Sequence, residues 1–505
     1  MQQTIDLENA AFHSARWLNA PVYALPLDGC RLITGMVCAW YFVRTLLEAR
    51  DVSDVHGLID HELSFELFPF TRLTLFGANT TDFTFVLVFL LAVFCSFGLI
   101  FGYRPKVSAA ALYVIAVSTY RWNFLVMYVD DAIVHLMLFW MLLLPIGRTL
   151  SIKDLVADRT GAWERWKCNL VPGGAARCFV MNIVLIYVIA GLWKWTSPMW
   201  REGTAVVAIM QLPVSYDYEA WNANHLWLFG PLNYLALVFE PLFPLLCLLR
   251  SGRLKYALGA AFITFHIFII FTMKLPFANL LCLGAMCVLF RDELMRWLKG
   301  ASNLEFDRAG NGKGAFGVSG ILGIAVVVLL ALAMLTSVSL PDWRQPVTKG
   351  SMVKEPRDEG LGSLQRPFFA ILWAMGLAQQ YQLLNWIDDR NYLVTYSIVE
   401  SHKNGDSRRI DSTLMFPMDI RNVLLQSYMH GIVWTAVPDA MRGRLEDSLK
   451  RRYAARYCRR FDSNGEIHVI STIERITGKK PLRSAESQSV LMTFTCTRGE
   501  SVLTN

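Results

Sequence analysis

Nine apolar segments recur along the first two thirds of this chain, at roughly 27–47, 83–102, 107–121, 124–146, 178–196, 229–249, 254–273, 275–290 and 316–338. A helix needs about 20 apolar residues to cross a hydrocarbon core of ~30 Å. Backbone groups in lipid must be satisfied internally, so such runs can only be helices or a closed barrel. Their length and lack of alternation select helices. The third and eighth are short and read as tilted or partly interfacial partners. The expected fold class is a polytopic α-helical membrane protein of about nine spans, followed by a C-terminal α+β extracytoplasmic domain. The expected boundaries are a cytoplasmic N-terminus (1–26), a transmembrane domain (27–338) and the extracytoplasmic domain (339–505).

Loop charge orients the chain. The connection after the fourth segment carries Arg148, Lys153, Arg159, Arg165, Lys167 and Arg177, and that after the eighth carries Arg291, Arg296, Lys299, Arg308 and Lys313. Arg104 and Lys106 follow the second segment, and Arg250, Arg253 and Lys255 follow the sixth. The alternate connections carry far fewer basic residues. The positive-inside rule then puts the N-terminus in the cytoplasm, and an odd span count puts the C-terminal domain outside. An integral membrane location follows, such as a bacterial inner membrane. The first 26 residues lack a basic stretch followed by a short apolar one, so the first segment reads as a retained span. The connection 48–82 is acidic, then amphipathic. It reads as an interfacial segment or as a lid over a lipid-level cavity.

In the C-terminal domain the stretch 392–400 alternates like a strand, Asn404-Gly405-Asp406 supplies turn chemistry, and 409–415 is its hairpin partner. Further strands are expected at 467–475 and 490–497. The stretch 438–461 is helix-like, with Leu445, Leu449, Tyr453 and Tyr457 at spacings of four. Its other face carries Arg442, Arg444, Lys450, Arg451, Arg452, Arg456, Arg459 and Arg460, which suits solvent or anionic lipid headgroups. Nucleic acid is not an expected partner of an extracytoplasmic domain. Cys458 and Cys496 could pair if the domain faces an oxidising compartment. The other cysteines form no metal pattern, and no metal is expected.

Several ionisable residues lie at membrane depth. Asp28 and Arg31 are three apart and suit a structural pair. Asp131 and His135 are four apart and face the same way; they suit a hydrogen-bonded pair or a proton shuttle. Glu240 precedes Pro241, and Pro244 follows, so backbone carbonyls there need other partners or water. His266 sits mid-segment, as a helix–helix contact or a catalyst. Lys194 has the most expensive charge to hide, at least ~2.5–3.5 kcal/mol at membrane depth. It either snorkels, pairs, or serves as a neutral amine able to act as a base.

The run Tyr187-Val188-Ile189-Ala190-Gly191-Leu192-Trp193-Lys194, followed by Trp200 and Gly203, resembles the signature of the HTTM family, the membrane domain shared with vitamin K-dependent gamma-carboxylases. Glu240-Pro241, Phe265-His266 and Phe277-Ala278-Asn279 resemble that family's later landmarks, and the similarity covers about 20–300. The resemblance implies Lys194 as the catalytic base, with Glu240 and His266 beside it and Trp193, Trp200 and Phe265 around the cofactor. It implies reduced vitamin K or a menaquinol-type quinol arriving from the lipid bilayer. Molecular oxygen would be consumed, with carbon dioxide and a peptide or protein substrate on the outer face if carboxylation is retained. The chain departs from the pattern in the fourth segment, where Asp130-Asp131-Ala132 stands and the family's histidine is missing from its place. The C-terminal domain is also much smaller. Carboxylation of peptide glutamate is therefore not carried over. The two functional readings are a gamma-carboxylase-like enzyme acting on a quinol or other lipidic substrate, and a non-enzymatic accessory, immunity or lipid-binding protein of the same fold.

Overall fold

The computed structural model describes residues 20–77, 79–158, 160–248, 252–299, 318–337, 371–372, 374–377, 391–402, 405–432, 439–461, 465–476, 483–497 and 500–503. Residues 1–19 and 339–370, with Arg159, Arg250, Arg308, Lys313 and Asn404, fall outside them.

All nine apolar segments form helices. They are α1 (Ala24–Val52) and, after the short α2 (His61–Leu67), α3 (Asp82–Ile100), α4 (Pro105–Trp122), α5 (Val129–Leu143), α6 (Gly174–Thr196), α7 (Leu226–Leu248), α8 (Arg253–Thr272), α9 (Pro276–Leu289) and α10 (Val318–Ser337). By length and composition, α1, α3, α6 and α8 can cross a membrane, while α7, α9 and α10 hold shorter apolar stretches. The expectation of 124–146 for α5 ran long at both ends. A single 3-10 turn occupies Phe124–Val126, and Leu144 turns extended because Pro145 follows it.

Close approaches and buried charges join the helices. A Cβ on Gly35 of α1 would lie 2.9 Å from the Ile100 backbone nitrogen, so only glycine lets α1 and α3 meet there. Asp28 and Arg31 pair at 2.7 Å with no side-chain exposure. Asp28 also accepts from the backbone N–H groups of Gly147, Arg148 and Thr149, while Arg31 donates to the carbonyls of Leu99, Ile100 and Leu150 at the end of α3 and beyond. Satisfied this fully, the pair is structural. A two-residue ladder of β1 (Val22–Tyr23) with β2 (Leu170–Val171) ties the start of α1 to the segment before α6.

The C-terminal domain is an antiparallel sheet of β3 (Tyr392–Ser401), β4 (Ser407–Ile410), β5 (Glu466–Ile476), β6 (Arg483–Thr497) and β7 (Glu500–Leu503), in the order β4-β3-β5-β6-β7. Helices α11 (Ile420–Met429) and α12 (Asp439–Arg460) accompany it. The expected hairpin partner at 409–415 is shorter and earlier, because Asp411 caps a 3-10 turn at Ser412–Leu414. Cys458 of α12 bonds Cys496 of β6, with their Cα atoms 5.4 Å apart.

Leu445, Leu449, Tyr453 and Tyr457 are buried, as their spacing predicts. The basic face of α12 is partly solvated, with Arg444, Arg451, Arg459 and Arg460 exposed, and partly taken up by the 48–82 connection. Arg456 and Arg460 reach Asp51 at 2.9 Å each, Arg444 forks onto Glu66 at 2.8 and 2.9 Å, and Arg452 donates to the Val55 and Gly57 carbonyls. The acidic part of the 48–82 connection is the complement of this face. Its apolar part, with Leu63, Leu67 and Phe68, is buried in one core with Ile398, Leu449, Tyr453 and Phe494. The connection is therefore a wedge of the C-terminal domain rather than a lid.

Two histidines in this unit are held neutral. His61 stacks on Trp122 at 3.9 Å and bonds its carbonyl through Nδ1. Burial pushes His61 down from 6.5 to about 4, and burial with the nearby Lys450 ammonium does the same to His430. The unfolded chain binds protons that the folded one refuses between those values, so stability falls as pH drops from 6.5 to about 4. The expected loss is on the order of 3 kcal/mol for each group. Chemical denaturation followed across that range checks this, and His61→Phe should remove about half of the pH dependence, leaving the His430 share.

Candidate functional site

α6 ends at Thr196 because Ser197 precedes Pro198. The Ser197 hydroxyl accepts from the Trp200 backbone N–H at 3.2 Å and caps the next turn, Pro198–Arg201. That turn folds the Trp200 ring over Lys194, with Nζ 5.1 Å from the ring centroid, a cation–π distance. Asn233 of α7 fixes the turn, donating to the Trp200 carbonyl at 2.7 Å and accepting from the Val206 N–H at 3.3 Å.

Pro241 of α7 acts as the sequence implies. Pro241 has no N–H to give to the Leu237 carbonyl, and the Trp195 indole takes that place at 3.1 Å. The Pro241 ring lies against Gly191, where an added Cβ would come 2.8 Å from Pro241 Cδ and 3.1 Å from its nitrogen. This contact brings α6 and α7 together and sets Glu240 opposite Lys194. Lys194 Nζ lies 2.6 Å from Glu240 Oε2, with the residues 2% and 4% exposed. Lys194 thus pairs and does not snorkel. Gly191→Ala should push α7 outward and cost about 1–3 kcal/mol of stability, measured by thermal unfolding in detergent.

His266 belongs to a second cluster. Its Nε2 is 2.8 Å from the Tyr187 hydroxyl, and its Nδ1 is 2.7 Å from Asn279 Oδ1 of α9. Tyr187, Gly191 and Lys194 follow an i, i+4, i+7 pattern, so both clusters lie on one stripe of α6, about 10 Å apart along its axis. Phe265 is half-buried in the apolar cluster that holds Trp200, Met273 and Leu275, and its ring is 5.3 Å from that of His266. Asp130 accepts from the Phe277 and Ala278 N–H groups at 3.3 and 2.8 Å, capping α9 just before Asn279.

The structure does not join every expected residue. Trp193 leaves α6 about 100° from its neighbour Lys194 and packs on the main helical core. Its indole nitrogen is buried without a hydrogen-bond partner among the described residues. Asp131 and His135 do not form the expected pair. Asp131 accepts from the Tyr41 hydroxyl at 2.5 Å and from Arg421 of α11 at 3.2 Å, while His135 bonds the Ala116 carbonyl at 3.1 Å. Among the described residues, no three His, Cys, Asp or Glu side chains gather as metal ligands.

Comparison with models of protein families, with curated proteins and with solved structures finds no match to this chain. The site's chemistry is therefore argued from its side chains. An ammonium and a carboxylate 2.6 Å apart and buried are placed for a proton to pass between them. With the proton on Glu240, Lys194 is a free amine with a lone pair. Tyr187, Asn279 and Asn233 received no role from the sequence. The stripe spacing of Tyr187 with Lys194 was the signal for the first; the asparagine contacts lie between helices and leave no periodic trace.

Proposed function

We propose that the chain is an integral-membrane enzyme of the gamma-carboxylase-like class, in which Lys194 takes a proton from a quinol or another lipidic substrate. The observation that carries this reading is the buried Lys194–Glu240 pair. The Asp28–Arg31 pair is embedded in backbone hydrogen bonds that give it a structural role, whereas the Lys194–Glu240 pair is set under the Trp200 ring near the end of α6. The full arrangement proposed is nine spans, a cytoplasmic N-terminus and an extracytoplasmic C-terminal domain, in a bacterial inner membrane. The Cys458–Cys496 bond supports an oxidising compartment for that domain.

The residues fit a quinol. Lys194 and Glu240 offer an acceptor and a donor for one hydroxyl, the Trp200 and Phe265 rings flank the site, and exposed Val238, Leu242, Ile263 and Ile267 on α7 and α8 suit an isoprenoid tail. A bound quinol would supply the acidic hydroxyl and the electrons for reducing molecular oxygen. Lys194 orients and deprotonates that hydroxyl, Glu240 holds the proton that frees the amine, and the Trp200 turn excludes water. Carbon dioxide and a peptide substrate would enter only if carboxylation is retained.

One observation favours the second reading, a non-enzymatic accessory, immunity or lipid-binding protein. Asp130, Asp131 and His135, the ionisable groups of the fourth segment, are all engaged in holding helices together. Turnover of reduced naphthoquinone by purified protein separates the two. Lys194→Ala and Lys194→Arg should both abolish it, because a guanidinium cannot act as a base. Full turnover in Lys194→Ala sinks the enzymatic reading.

A further inference from the structure

A groove of about 770 Å³ lies between α12 and the 48–82 connection and shares no residue with the Lys194 site. Its α12 wall runs from Arg444 to Arg459, about 22 Å along the helix axis, with the small Ala455 between Arg451 and Arg459. The facing wall is Val55, His56 and one side of α2, with Glu62 and Glu66. Ser501 of β7 closes the Arg459 end, because it pairs with Cys496, which is bonded to Cys458.

Part of the charge in this groove is neutralised internally. Arg444 forks onto Glu66 at 2.8 and 2.9 Å, and Asp60 accepts from the Ser448 hydroxyl at 2.9 Å with Arg452 3.8 Å away. The rest is not. Arg451 gives only Nε, to the Asp447 carbonyl at 3.3 Å, and Arg459 only Nη2, to the His56 carbonyl at 2.9 Å. Among the described residues neither guanidinium has an ion-pair partner, and the carboxylates of Glu62 and Asp447 have neither an ion-pair nor a hydrogen-bond partner. All four side chains are exposed. Two poles result. The guanidiniums flank Ala455, while Asp447 and Glu62 lie toward the end where Arg444 meets Glu66. Asp447 precedes Arg451 by one turn, about 6 Å along the axis, a step that a two-carbon link between ligand charges can span.

The chemistry of the poles selects a ligand. Two guanidiniums with free N–H groups suit a phosphate, whose oxygens accept several of them at once. Two carboxylates only accept, so their partner must be a cation with hydrogens to give. A primary ammonium has three; a quaternary one has none and is held by aromatic faces instead. Apart from the His56 imidazole, no aromatic ring lines the groove among the described residues. We propose that this groove binds an ethanolamine phosphodiester, as a phospholipid headgroup or as the free glycerol compound. Arg451 and Arg459 hold the phosphate, and Glu62 and Asp447 hold the ammonium. The site binds without reacting, and it stands or falls independently of the role of Lys194.

The test follows amide hydrogen exchange of residues 55–66 in the full chain. In detergent free of phospholipid, glycerophosphoethanolamine should protect this segment at a concentration about ten-fold or more below that needed of glycerophosphocholine. Arg451→Ala/Arg459→Ala should abolish protection by both compounds at an unchanged unfolding temperature, since both side chains are exposed. Glu62→Gln/Asp447→Asn should erase the preference for ethanolamine over choline, a change of selectivity that damage to the fold does not produce. In phosphatidylcholine nanodiscs, added phosphatidylethanolamine should protect the same segment. Protection there identifies a lipid as the source, and protection by the soluble compound alone identifies the free ligand. Equal protection by the ethanolamine and choline compounds overturns the proposal. So does wild-type protection in the arginine variant, or a wild-type protein that neither source protects.

Discussion

Lys194→Met and Glu240→Leu, made singly, are each expected to destabilise the protein by about 3–5 kcal/mol, and the double variant is expected to regain most of that loss. Each single change leaves one buried charge opposite an apolar side chain, 2.6 Å from where its counter-ion stood. The double change removes both desolvation penalties and leaves two unbranched or branched apolar groups to fill the same space. Thermal or denaturant unfolding in detergent measures all three. The coupling between the sites should be as large as either single effect, far beyond the few tenths of a kcal/mol of independent sites. Additive single effects would show that the two heads are not in contact.

Arg421→Met should release the C-terminal domain from the helices. Arg421 is 5% exposed and lies between two carboxylates, 3.0 Å from Glu48 of α1 and 3.2 Å from Asp131 of α5, with the Tyr128 ring 5.6 Å away. Its removal leaves the buried Asp131 and the part-buried Glu48 without their shared cation, at a cost of about 3 kcal/mol. Tyr41 and Arg44 still bond Asp131 and Glu48, so α1 and α5 should keep their places while α11 loses its seat. Limited proteolysis and amide hydrogen exchange should show the change in 391–503 and spare α1. Arg421→Lys should recover only part of it, because an ammonium cannot span two carboxylates as a planar guanidinium does. Unchanged protection in Arg421→Met would contradict the docking.

The helices were legible because most of the apolar runs are long and unbroken, and their apolar character does not depend on exact ends. The end of α5 was not, since the break comes from the conformational bias that Pro145 places on Leu144, one residue beyond the periodic pattern. The buried stripe of α12 was legible from its spacing of four. The fate of its arginines was not, because Asp51 and Glu66 lie 405 and 378 residues away from Arg456 and Arg444 in sequence and periodicity carries no information about them. At the site, Lys194, Glu240 and His266 stood out as costly residues in apolar surroundings. The separation into two clusters depends on Gly191 meeting Pro241 and on Asn279 holding His266, both of them contacts between helices.

The double variant Lys194→Met/Glu240→Leu tests the central claim most directly, because it separates the stability of the pair from its chemistry. Turnover of reduced naphthoquinone should be compared with wild type in nanodiscs, on protein of matched unfolding temperature. The account predicts a folded double variant with turnover lower by a factor of about 100–10,000. A folded double variant that turns over the quinol as fast as wild type would show that Lys194 is not the base.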